Sequence, residues 1–66
     1  MYQDIEHKSK TYRIITEGIN MCHPESAVVV LFELKNPGAE EKFRQTGNDR
    51  EIPEMQTTVR MYLDGI

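Results

Sequence analysis

Between Asp4 and Cys22, a step of about 100° per residue gathers Ile5, Ser9, Tyr12, Ile15, Ile19 and Cys22 into one stripe and sets Glu6, Lys10, Arg13 and Glu17 on the opposite arc. The spacing predicts an amphipathic helix over 4–22, with Glu6 four residues ahead of Lys10 in the order that favours a helical ion pair. Lys8 falls inside the stripe and must snorkel, and Gly18 costs about 1 kcal/mol against alanine. The run Thr11-Tyr12-Arg13-Ile14-Ile15-Thr16 also has the composition of a strand. A hairpin pairing 11–17 with 27–34 is therefore the competing reading.

His23-Pro24-Glu25-Ser26 breaks the pattern, because proline disfavours helix in the residue before it. Ala27 to Leu34 is then continuously apolar and β-branched, apart from Glu33, and stops at Asn36-Pro37-Gly38, the pattern of a strand buried on both faces. Ala39 to Thr46 is made largely of good helix formers and ends at Gly47, which predicts a short helix anchored by Phe43. Gly47 to Glu51 reads as a polar loop. From Met55 onward two periods compete. Alternation sets Met55, Thr57, Val59, Met61 and Leu63 on one face of a strand; a helix would instead align Ile52, Met55, Val59, Tyr62 and Ile66, with Pro53 in its first turn. The Thr57-Thr58-Val59 centre and the Asp64-Gly65 turn signal favour the strand.

The expected fold class is thus α+β, one small domain over 1–66 in the order helix, strand, short helix, strand. Two strands are marginal alone in water. If they are parallel, the short helix serves as a right-handed crossover; if antiparallel, 35–54 is an unusually long connection. The open edge and apolar stripe predict a sheet completed by self-association, with Tyr12, Ile15, Ile19, Met55, Val59, Arg60 and Tyr62 as interface candidates.

Size reinforces that expectation. The 66 residues are 38% hydrophobic and 29% charged, a globular composition. A chain this short buries only roughly 60% of its unfolded surface, and one core rarely supplies more than about 3–5 kcal/mol. The single cysteine, Cys22, cannot make an internal disulfide, which points to a reducing, cytoplasmic setting. The longest apolar run, Ala27 to Phe32, is far short of the ~20 residues that span a bilayer, and the amino terminus has no leader pattern. No membrane role is expected.

Candidate chemistry is sparse. Cys22 and His23 are adjacent, so their side chains diverge and cannot readily share a proton; with His7 they match no zinc spacing. No catalytic residue, metal or cofactor is expected, and the carboxylates Glu40, Glu41, Asp49, Glu51 and Glu54 read as a solvated acidic face. Net charge −3 opposes nucleic acid. The four glycines form no phosphate loop, yet Lys8, Lys10 and Arg13, with free N–H groups near Gly38, could serve a small anion. The expected function is a non-enzymatic protein-binding module, an inhibitor, adaptor or regulator of a larger protein, phage-encoded ones included, acting as a homo-oligomer. The alternative is an oligomeric binder of a small anionic ligand such as a nucleotide or metabolite.

Overall fold

The computed structural model describes residues 1–18 and 27–66. Four strands, β1 (Tyr2–His7), β2 (Lys10–Gly18), β3 (Ala27–Leu34) and β4 (Ala39–Gly47), form an antiparallel sheet in the order β1-β2-β3-β4. A 3-10 turn (Asp49–Glu51) leads into one helix, α1 (Ile52–Asp64), which lies across one face of the sheet. The α+β class stands, but the element order differs from expectation everywhere except at β3. The expected break at 23–26, together with Ile19 and Cys22, lies outside the described residues.

Period two overrides period 3.6 in the first segment because the sheet buries more of it. As a strand, β2 turns Tyr12, Ile14 and Thr16 inward, all buried. The helical stripe would have spent Ser9 and Lys8 on an apolar face. The competing hairpin is the one that forms, with Tyr12 opposite Glu33, Ile15 opposite Val30 and Glu17 opposite Val28. Lys8 and Ser9 both take positive φ (50° and 67°) in the two-residue link between β1 and β2. That conformation suits the twist of a tight hairpin but disfavours L-residues with a side chain.

Residues 39–46 form a strand rather than a short helix. Gly38, at φ +94°, reverses the chain, and Lys35 N–H donates to the Gly38 carbonyl at 2.9 Å. A two-turn helix held by Phe43 alone would have left β3 with an unpaired edge. As β4, the segment pairs along all of β3 with a bulge facing Leu31 and Phe32.

The last segment reverses the other way, from expected strand to helix. Asn48 accepts from the N–H groups of Arg50 and Glu51, and Glu51 accepts in return from Asn48 N–H, a reciprocal cap. Pro53 occupies the first turn, and Thr57 and Thr58 donate their hydroxyls to the carbonyls of Pro53 and Glu54, which satisfies β-favouring side chains inside a helix. The link from β4 to the helix is tight. A Cβ on Gly47 would sit 3.1 Å from Met55 Sδ and 3.2 Å from Glu51 Oε1.

The core lies between sheet and helix. Val29, Leu31 and Val59 are fully enclosed, with Met55, Leu63, Tyr12, Ile14 and Ala27 around them and Ile5, Phe43 and Ile52 at the margin. Leu31→Ala should cost about 2–5 kcal/mol, enough to leave much of the chain unfolded at 25 °C by circular dichroism. Ser9→Gly should relieve about 1 kcal/mol of left-handed strain and raise the melting temperature by roughly 4–8 °C in a chain of this size.

Candidate functional site

One helix can cover only one face of a four-stranded sheet. On the other, β3 presents Val28, Val30, Phe32 and Leu34, and β2 adds Ile15 directly opposite Val30. Val30 is only 5% exposed yet lies outside the core beneath the helix, since its neighbours across the strands are Ile15 and Arg44. Tyr2, 63% exposed, extends the apolar area onto β1 opposite Ile15.

This strip is bordered by paired charges. On one side Arg13 holds Asp4 through two hydrogen bonds of 2.7 and 3.1 Å, and its guanidinium lies 4.3 Å from the centre of the Tyr2 ring. On the other side Arg44 holds Glu41 at 2.6 and 3.4 Å. Each arginine keeps its carboxylate below the ordinary range, chiefly through the hydrogen bond. Both pairs are exposed and add little to stability; they place the guanidinium groups at the border of the apolar strip.

The second concentration of chemistry is at the hairpin end, where the two tight turns meet the carboxyl end of α1. His7, Lys8, Lys10, Lys42, Tyr12 and Tyr62 surround a pocket of about 280 Å3, with Glu33 in its wall. Glu33, 8% exposed, stands 3.5 Å from Lys42 and 4.0 Å from Lys10. Beside it, Glu40 receives Lys42 at 2.7 Å and Lys35 at 3.1 Å, and those two ammonium groups hold its pKa down to about 2. A second hollow, about 320 Å3, lies between β1 and α1. Its polar groups already satisfy one another, Arg60 with Gln3 at 2.8 Å and Gln56 with Thr16 at 3.1 Å.

These positions sort the residues expected from the sequence. Tyr12, Met55 and Val59 are enclosed in the chain's own core and cannot form an outward surface, because β2 and α1 turn them toward each other. Ile15 lies on the open face. Arg60 is bonded to Gln3, and Tyr62 is stacked on Phe43 at 4.5 Å with the rings nearly parallel. Of the anion candidates, Lys8 and Lys10 meet at the pocket; Arg13 is on the opposite face, and Gly38 belongs to the neighbouring turn and does not line the pocket. Val28, Val30, Phe32 and Leu34 escaped selection because a strand apolar on both faces reads as buried on both. Lys42 escaped because its segment reads as helix. Among the described residues no three His, Cys, Asp or Glu side chains group as a metal site, and no helix is long and apolar enough to cross a membrane.

Comparison of the chain with family models, curated proteins and solved structures finds no match.

The lowered pKa of Glu40 has a readable consequence. Its pairing favours the folded state above pH 4.5, and that contribution fades as pH falls through about 2. Its carboxylate should titrate near 2 by carbon-detected NMR and return toward the ordinary range in the double variant Lys35→Met/Lys42→Met. High salt should move it the same way, since the group is exposed.

Proposed function

We propose that this protein is a non-enzymatic protein-binding module that works as a homodimer, two copies joined through the open faces of their sheets. The observation that carries the reading is the apolar strip of half-buried Ile15, Val28, Phe32 and Leu34 around buried Val30, over which no described element lies and which two arginine-carboxylate pairs border. An apolar centre inside a polar rim with arginine and tyrosine is the anatomy of protein interfaces.

A second copy is the occupant favoured by size and charge. Four strands about 4.8 Å apart and eight residues at about 3.3 Å each give a face of roughly 500 Å2. Two such faces bury about 1,000 Å2, where specific interfaces begin. Arg13, Phe32 and Glu41 share one level along the sheet. A two-fold axis parallel to the strands therefore sets Arg13 of one copy over Phe32 of the other and Asp4 over Glu41, with Arg13 one strand from that Glu41. Neither rim meets like net charge, and Arg13 comes within reach of the second copy's Glu41. Sheets so stacked lie about 10 Å apart, with strands close to aligned. The small core of a 66-residue chain gains the layer it lacks.

Light scattering on the eluted protein at micromolar concentration should give twice the 7.7 kDa chain mass. Phe32→Lys should return the single-chain mass with an unchanged far-ultraviolet dichroism spectrum, because Phe32 is outside the core beneath α1. A wild-type chain that stays at 7.7 kDa up to about 100 μM overturns the dimer.

A further inference from the structure

All four lysines of the chain, Lys8, Lys10, Lys35 and Lys42, gather at the hairpin end of the sheet, in a protein whose net charge is −3. The arginines lie elsewhere, Arg13 and Arg44 on the rims of the open face and Arg60 against Gln3. Lys8, Lys10 and Lys42 line the pocket with one carboxylate, that of Glu33, and Lys42 is also paired with Glu40 beside it at 2.7 Å. Among the described residues no Asp or Glu pairs with Lys8; its ammonium donates instead to the main-chain oxygen of Ile66, and His7 Nε2 comes within 3.3 Å of the same atom. Two nitrogen groups thus converge on one oxygen, at the edge of a hollow lined by three lysines, a histidine and one carboxylate.

The ligand class follows from the donors. Lysine ammonium groups bind phosphate as compact point charges, and a phosphate monoester, carrying about −1.5 to −2 charges at pH 7 against −1 for a carboxylate, gains more from several of them. At about 280 Å3 the pocket is just below the usual range for small-molecule sites, roughly 300–1,000 Å3, so its ligand is compact. Tyr12 and Tyr62 form apolar wall beside the cations. We propose that this pocket binds a small phosphate monoester, whose phosphate takes the place of the Ile66 main-chain oxygen between Lys8 and His7 and whose organic part rests against Tyr62. Lys10, more than half exposed and only 4.0 Å from Glu33, is free to swing onto the phosphate. The site is on the helix side of the sheet, separate from the proposed dimer face, so each can fail without the other.

Phenyl phosphate titrated into the full chain at constant ionic strength, followed by proton-nitrogen NMR, tests the site. Saturable shifts are expected at His7, Lys8, Lys10, Tyr62 and Ile66. Lys8→Asn removes the charge while keeping a residue that tolerates positive φ, and should weaken binding about tenfold, the effect of losing one charged hydrogen bond. Arg50→Gln, in the 3-10 turn at the other end of the molecule, should change nothing. Benzoate should bind about tenfold more weakly than phenyl phosphate. Shifts that grow linearly without saturating, that benzoate reproduces equally, or that survive Lys8→Asn unchanged, would overturn the proposal.

Discussion

The contact of α1 with the centre of β3 is the interaction on which the molecule depends. Val29 and Leu31 meet Met55, Val59 and Leu63, and within this group Val29, Leu31 and Val59 are wholly removed from solvent. Burial of that completeness is worth about 1.5–3 kcal/mol per large side chain, a large share of what so short a chain can gather. It also fixes the direction of the helix. The chain leaves β4 at Gly47, where only a hydrogen in place of Cβ lets Met55 and Glu51 come close, and the Asn48–Glu51 cap aims α1 back along the sheet. Its carboxyl end therefore arrives at the two hairpin turns, where His7 and Lys8 meet the Ile66 main-chain oxygen. Cationic and donor groups at that end complement the partial negative charge of the helix terminus.

The same contact determines what is left over. A helix laid over Val29 and Leu31 covers one side of the sheet and leaves the alternate side chains of β3 on the other. Val28, Val30, Phe32 and Leu34 are as apolar as their inward neighbours, and Arg13 and Arg44 only border them. In a larger protein a second helical layer would close such a face. Among the described residues no second layer lies over that face, which is the physical basis of the binding role proposed above.

The two kinds of cation are used differently. Arg13 and Arg44 each engage a carboxylate in a planar, two-bonded geometry at the margins of the open face. Lys10, Lys35 and Lys42 collect around Glu33 and Glu40, where each carboxylate stands near two ammonium groups at 2.7–4.0 Å. Planar guanidinium groups define an interface edge, while mobile ammonium groups can rearrange around an incoming anion.

By itself the sequence determined β3, bounded by Ser26 and the Asn36-Pro37-Gly38 turn, because an eight-residue apolar β-branched run admits few other structures. It also contained both decisive alternatives, the pairing of 11–17 with 27–34 and a helix with Pro53 in its first turn. It could not choose between them. Tyr12 shares a helical stripe with Ile15 but a strand face with Ile14, and Thr57-Thr58-Val59 favours a strand until the hydroxyls find the carbonyls of Pro53 and Glu54. Tertiary packing made the choice, because β3 needs a strand on each side to satisfy its backbone and a single apolar helix face to bury Val29 and Leu31. Residues 10–18 and 39–47 supply the former and 52–64 the latter. Which face of β3 stays open, and that Lys8, Lys10 and Lys42 share one pocket, follow from that packing, since both depend on residues distant in the chain being brought to one place.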